Sequence, residues 1–380
     1  MIKKKVLMTG LLVGIMFILT GCWDSTELND RHIVLELAVD KAEDKDITKK
    51  VGQEDYYEIT YTIPDIKKLS GKESLSDDVK TAMVTISPTF ADSVDELQVK
   101  TQNAVTFSHL KAVVLGEELM RDKNLFENAI NSMARNTEFS RGTNILAVKG
   151  KASEITKGEN YQNPILGLYI MRYFNNKEKD GGNAKQQTLG NMLKEMQNTG
   201  VTTMPIISSG EEGTVIIGGA AVIKDYELVG WLTEDEVRGM SLINGEVEGM
   251  PIIIEHEGEY LTYTIRKKES KIEFMDEGHV VARINILLRG NITEGLSALN
   301  NKIFDKKDIH AIEVVLSNKI NERVRDVINK EEALGADFLK IGLDLYRKKP
   351  DLWNKYKDSR ENLEIEFSTN VIVENTGVIE

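Results

Sequence analysis

Apolar positions two apart mark the strands of this chain, and apolar positions three or four apart mark its helices. Tyr57, Ile59, Tyr61 and Ile63 alternate with Tyr56, Glu58, Thr60 and Thr62, a period of two in β-favouring residues that predicts a strand. Residues 33–39 read as a strand ahead of it, and residues 81–87 as one that stops at Pro88. Phe90, Val94 and Leu97 then fall on one helical face. Residues 110–116 predict a buried strand closed by Gly116, 117–121 and 125–133 predict helices, 143–148 a strand, and Ala152 opens another helix. Such alternation of strands and helices predicts a sheet with helices packed on it.

Residues 175–200 are the best linker, because 177–183 are charged and glycine-rich, although 189–196 can form a short helix. Beyond it, 215–217, 220–223 and 228–232 read as closely spaced strands, and 234–242 as a helix. The last third changes rhythm. Strands at 260–266, 271–274 and 280–288 are joined by short polar turns, one of them Asp276-Glu277-Gly278, which favours antiparallel pairing. Ile309, Ile312, Val315, Leu316, Ile320, Val324, Val327 and Ile328 then share one broad helical face, with Asp308 placed to complement the positive end of that helix. A second helix spans 337–348 and ends before Pro350, and 363–373 return as a final strand. The expected class is α+β and multidomain, each domain a mixed or antiparallel β-sheet with packed α-helices. The expected divisions are a signal peptide at 1–21, an N-terminal α/β domain at 22–195, a middle β-rich domain at 196–255 and a C-terminal α+β domain at 256–380.

The first thirty residues add a membrane address. Lys3, Lys4 and Lys5 precede an apolar run over 6–19, closed by Leu19-Thr20-Gly21-Cys22, the layout of a secretory signal peptide. The run is about fifteen residues, short of the ~20 that a spanning helix needs, and polar Asp24-Ser25-Thr26-Glu27 follows at once. Leu-Thr-Gly-Cys resembles the lipobox of bacterial lipoproteins, which implies an S-diacylglycerol and an N-palmitoyl group on Cys22 after cleavage. The rival reading makes Cys22 an incidental small residue beside an ordinary cleavage site. It is the single cysteine of 380 residues, so no disulfide within the chain is available.

Composition sets the body apart from that leader. With 41% hydrophobic and 29% charged residues, it reads as a folded protein rather than a disordered stalk. Residues 1–21 carry three lysines and no acid, so their removal takes the formal charge from −13 to −16. An acidic body argues against nucleic acid, which calls for Lys and Arg to displace counterions. It argues equally against lying on anionic lipid.

Motifs for chemistry are sparse. His32, His109, His256, His279 and His310 show no zinc-binding spacing, and no nucleophile elbow, P-loop or dinucleotide fingerprint occurs. Gly218-Gly219-Ala220 reads as a turn or close backbone packing. Glu211-Glu212 and Glu331-Glu332 read as solvated charges, and Asp40 to Lys45 lacks the spaced ligands of a calcium loop. Trp231 and Trp353 read as core residues, with exposed recognition as the rival. No catalytic, metal-binding or cofactor-binding residue is assigned.

The mature N-terminus reads Gly21-Cys22-Trp23-Asp24-Ser25-Thr26-Glu27-Leu28-Asn29-Asp30-Arg31. It resembles the opening of the Ger(x)C family, the C-subunit lipoproteins of spore germinant receptors in endospore-forming Firmicutes. The resemblance continues, in order, through His109-Leu110-Lys111, Val113 to Glu118, Gly219 to Val222, Leu228-Val229-Gly230 and Glu236 to Gly239. It ends with Ala336 to Gly342 and Pro350-Asp351-Leu352-Trp353, the former looser than the Asp-Phe-Gly-Ile-Gly-like family form. The resemblance implies a non-enzymatic subunit of a nutrient receptor at the inner spore membrane, three domains each with a central sheet, and two integral-membrane partners, the A and B subunits. It carries over Cys22 as a lipidation site and no other site residue. Two rival functions are a solute-binding lipoprotein of a transporter, which calls for two lobes with mostly parallel sheets, and a lipid-anchored cell-wall enzyme, which calls for converging titratable groups.

Overall fold

A computed structural model describes residues 31–43, 56–65, 79–158, 163–176, 181–244, 247–295, 305–356 and 363–375. The signal segment, Cys22, the resemblance residues up to Asp30 and the charged residues 177–180 lie outside them. The chain begins with β1 (Arg31–Ile33), β2 (Glu36–Lys41), β3 (Tyr57–Pro64), β4 (Lys80–Ser87), α1 (Phe90–Lys100), β5 (Ala104–Thr106) and β6 (Ala112–Leu115). It continues through α2 (Glu117–Arg121), α3 (Lys123–Arg135), β7 (Asn144–Ala147), α4 (Ala152–Lys157), α5 (Leu166–Asn175) and α6 (Leu189–Thr199). Next come β8 (Val201–Ser209), β9 (Val215–Lys224), β10 (Glu227–Leu232), α7 (Glu234–Asn244) and β11 (Pro251–His256). The last elements are β12 (Glu259–Asp276), β13 (Val280–Gly295), α8 (Lys306–Leu334), α9 (Ile341–Lys348), α10 (Pro350–Tyr356) and β14 (Leu363–Asn375).

One large mixed sheet runs β10-β9-β8-β7-β6-β2-β3-β4. Its centre, β2-β6-β7, is parallel and its flanks are antiparallel. The alternation of β2 sorts its two faces. Leu37 and Val39 join a core with Phe90 of α1, Leu119 of α2, Phe126 of α3 and Met192 of α6. Ala38 joins the opposite core with Ala152 of α4 and Leu166 and Ile170 of α5. Pattern reading predicts no strand at 201–209, and β8 explains why. Pro205 has no N–H to give a ladder, and β8 meets β7 through one rung, Ala147 with Ile206. Residue 195 lies inside α6, and β8 to β10 beyond it extend the same sheet as β2 to β7.

The second major sheet is β11-β12-β13-β14, antiparallel except for β14, which returns parallel to β13 after the helices. The two predicted strands at 260–266 and 271–274 are one strand. The charged residues between them stay in register with β13, Lys268 opposite Leu288 and Ser270 opposite Ile286, and a bulge at Ile265/Lys267 absorbs the misfit. Charge marked them as a turn although the ladder does not end: Lys267 and Glu269 face solvent, while Lys268 donates to the Ser241 carbonyl at 2.6 Å and the Ser270 hydroxyl is buried. Ile312, Leu316, Ile320, Val324 and Val327 of α8 pack over Ile265, Ile284 and Leu288 of the sheet and Val237 and Met240 of α7. Asp305 caps α8 in a reciprocal box with Asp308, satisfying two otherwise orphaned N–H groups. The helix expected from 337 starts at Ile341, because Asp337 is spent as its cap, accepting from the N–H groups of Gly342 and Leu343 at 3.2 and 3.0 Å.

α7 and α8 approach closely at Gly239, where an added Cβ would sit 2.8 Å from the Arg323 carbonyl oxygen and 3.2 Å from Val327 Cγ1. Gly239→Val is therefore expected to force the helices apart and lower stability by about 2–3 kcal/mol, read as a lower urea midpoint at unchanged slope. An unshifted midpoint would show that the contact yields without cost.

Candidate functional site

Two clusters stand out by burial and charge. The first lies on β2. Glu36 and Asp40 are 0% and 2% exposed, and both share the Ala38 face, where α4 and α5 pack. Asp40 accepts from the N–H groups of Ala152 and Ser153 at 2.7 and 2.9 Å, closing the N-terminus of α4. Lys80 donates to the Thr156 and Gly158 carbonyls at 2.9 and 3.1 Å, closing its other end. Glu36 Oε2 accepts from the Gly167 N–H at the N-terminus of α5. Each carboxylate thus meets orphaned N–H groups and the positive end of a helix. Glu36 Oε1 and Thr62 Oγ1 are buried and make no hydrogen bond of normal geometry. Burial pushes the Glu36 carboxyl up to about 7, against the opposing pull of the Lys80 ammonium, the Thr62 hydroxyl and the Gly167 N–H. Burial likewise raises Asp40, against the hydrogen bonds from Ala152 and Ser153. An acid interrupting an apolar strand, Leu35-Glu36-Leu37 and Val39-Asp40, is the signal that could have marked both positions.

The second cluster joins the large sheet to the C-terminal helices. Lys340, in left-handed backbone at φ 62°, donates to Glu195 Oε1 of α6 at 2.6 Å. Glu195 Oε2 accepts from Gln187 and Thr202 at 2.8 and 2.5 Å. Partial burial pushes the Glu195 carboxyl up, and the hydrogen bonds from Lys340, Thr202 and Gln187 together outweigh it and hold the group below the usual glutamate range. A double-mutant cycle on Glu195→Gln and Lys340→Met is expected to give a coupling of about 0.5–1 kcal/mol, limited because solvent reaches Lys340. Additive effects in urea denaturation would remove this pair as a junction contact.

Beside this pair opens a cleft of about 520 Å³. Lys185, Lys271, Lys340 and Lys348 line it with a single acid, Asp344. Its apolar lining includes Ile243 and Leu339, which are 2% and 1% exposed. Ser270 and Asn244 supply neutral polar groups, and the buried Ser270 Oγ has no hydrogen-bond partner. Sequence spacing could not reveal this grouping, since its residues come from five separate stretches between Lys185 and Lys348.

The remaining singled-out residues hold the fold. Among the described residues no group of three or more His, Cys, Asp or Glu is arranged for a metal. His279 pairs with Glu364 at 2.7 Å on the outer face of the second sheet. Glu331, expected to be solvated, is 6% exposed and accepts from the Leu339 N–H at 2.6 Å. The turn after α8 folds back onto it, which the local sequence does not disclose. Trp231 is partly buried beneath the Lys149 ammonium, 5.4 Å from the ring centroid. Trp353 packs on the C-terminal core, edge-on to Tyr346. Gly219 sits inside β9 at φ 77°, its Cα face against the Leu232 carbonyl. Glu236 and Thr233 form a capping box at the start of α7, at 2.6 and 3.2 Å. Several stretches that carry the family resemblance are therefore caps and close approaches. Among the described residues no helix is long and apolar enough to cross a membrane.

Comparison with known proteins divides the chain between β8 and β9, inside the large sheet. Residues 24–209 match the family described as spore germination protein N-terminal domain, and residues 218–377 match spore germination B3/GerAC like, C-terminal. Spore germination protein B3 of Bacillus subtilis (strain 168) is 26% identical over 348 residues, covering 89% of this chain and 88% of that protein. Spore germination protein A3 of the same organism is 25% identical, covering 95% of each. The crystal structure of the GerBC protein superimposes with a TM-score of 0.58 at 23% identity, over 90% of this chain and 99% of that one, a likeness of fold. With both family domains matched in order along most of its length, the chain belongs to the Ger(x)C family of spore germination proteins.

Proposed function

We propose that this protein is a lipid-anchored, non-enzymatic subunit of a nutrient germinant receptor, needed for the germination response of the spore. The observation that carries the reading is the ordered match of both germination-protein domains across residues 24–209 and 218–377. Relatives similar over nearly their whole length are themselves named spore germination proteins. The apolar leader and Cys22 support attachment by an S-diacylglycerol and an N-palmitoyl chain to the outer face of the cell membrane, which becomes the inner membrane of the spore. Burial of each acyl CH₂ contributes about 0.8 kcal/mol, so one chain binds marginally and several hold stably. The anchor turns a three-dimensional search for the integral A and B subunits into local encounter at high effective concentration. The acidic body, −16 after loss of the leader, stays in water and docks on the exposed parts of those partners.

Co-purification from spore membranes tests this directly. The tagged protein is expected to bring down two integral-membrane partners, and deletion of its gene to slow or abolish germination in a particular nutrient while spore formation proceeds. A solitary lipoprotein with normal germination in every nutrient mixture would overturn the proposal.

A further inference from the structure

Four of the ten residues lining the junction cleft are lysines and one is an aspartate, in a chain whose overall formal charge is −13. Against the acids they pair with, Asp344, Glu195 and Glu273, the four lysines leave a small positive excess on a net negative body, and a positive cleft concentrates anions. All four lysines already hold partners, among them Lys340 with Glu195 at 2.6 Å, Lys348 with Asp344 at 2.7 Å, and Lys271 with Glu273. An ammonium has three donors, and each of these contacts occupies one of them, so the lysines keep capacity for an anion in the cleft.

The rest of the lining defines the ligand further. Partly exposed Ile272, backed by the buried Ile243 and Leu339, offers an apolar surface. The Ser270 hydroxyl is buried without a hydrogen-bond partner, and buried polar groups are ordinarily satisfied. A ligand oxygen reaching this hydroxyl would satisfy it. The volume of about 520 Å³ falls within the ~300–1,000 Å³ of small-molecule sites.

We propose that the junction cleft binds a small soluble organic anion, its carboxylate or phosphate held by the lysines and its body laid against Ile272. Lys340 belongs both to this cleft and to the contact with Glu195, so an anion there shares its ammonium with Glu195. Occupancy is thereby coupled to how firmly the C-terminal helices hold α6. The inference stands apart from lipid anchoring and receptor membership, and it can fail while they hold.

The test is calorimetric titration of detergent-solubilised full-length protein at low ionic strength, with citrate and inorganic phosphate as probes. Citrate is expected to bind. Lys271→Gln and Lys348→Gln are each expected to weaken it about tenfold, while Lys271→Arg and the distant Lys319→Gln keep it. Far-ultraviolet circular dichroism confirms that each variant remains folded. No heat with either probe up to about 10 mM, a free energy of roughly 3 kcal/mol, would overturn the proposal. So would equal weakening by Lys319→Gln, which would mark diffuse charge attraction. A parallel arm measures sedimentation with phosphatidylglycerol vesicles. Capture there that depends on Lys271, with no citrate binding, would also overturn it by assigning the cleft to a lipid headgroup.

Discussion

Cys22→Ala is expected to move the protein from the membrane pellet to the soluble fraction and to weaken nutrient-triggered germination, without changing the fold of its body. The expected size of the shift follows from the acyl chains. At about 0.8 kcal/mol per buried CH₂, even two chains hold a protein far more firmly than one, and the acidic body offers no second grip on anionic lipid. Loss of the anchor also removes the high local concentration at which the body meets its partners, so the response falls even where the body still binds. Mass spectrometry of the wild-type N-terminus should show Cys22 as the first residue carrying the lipid. Full membrane retention of the alanine variant with a normal response would refute the role assigned to the cysteine.

Glu36→Gln is expected to flatten the dependence of stability on pH. The Glu36 carboxyl is fully buried and titrates at about 7 in the folded protein against 4.5 for an ordinary glutamate. The folded state therefore binds the proton more tightly than the unfolded chain. For an acid whose pKa is raised by folding, this favours the native state below the ordinary value and the advantage is lost as pH rises toward 7. The integrated loss is about 3 kcal/mol. The protonated acid can donate from Oε1 to Thr62 Oγ1, filling two vacant hydrogen-bonding positions at once, whereas the Lys80 charge, the Thr62 hydroxyl and the Gly167 N–H compensate the buried anion only in part. Glutamine mimics the protonated form, its amide oxygen accepting from Gly167 and its amide N–H donating to Thr62. Urea denaturation between about pH 5 and pH 8 checks this. The gap between variant and wild type should widen in favour of glutamine as pH rises, and parallel profiles would show that Glu36 does not titrate in this window. Asp40, raised by burial in the same direction, remains in both proteins and cancels in the comparison.

Much of the architecture was legible in periodicity because most elements carry their own pattern. The alternating Tyr57–Ile63, the apolar face of α8 and the Asp276-Glu277-Gly278 turn are local statements, and the structure realises each. What was not legible depends on neighbours. β8 lacks a clean period, and its pairing with β9 shifts register at Pro205. Lys267 to Ser270 read as a turn because a charged run gives the same signal in a strand that turns Lys267 and Glu269 outward as in a loop. The candidate site was less legible still. Glu331 is an ordinary helical glutamate until the 336–340 turn folds over it, and the lysines of the cleft are ordinary surface cations until two layers bring them to one opening.

The sequence alone determined the kinship of this protein, through the ordered stretches that mark a Ger(x)C chain, and it displays the leader and lone cysteine on which the proposed anchor rests. These are properties of contiguous residues, and contiguous residues are what a sequence displays. Only the tertiary structure decided that Glu36 and Asp40 dock helix ends, that Glu195 and Lys340 join the two layers, and that four lysines face one cleft. Burial, electrostatic environment and proximity come from segments far apart in the chain, and folding is the step that assigns them.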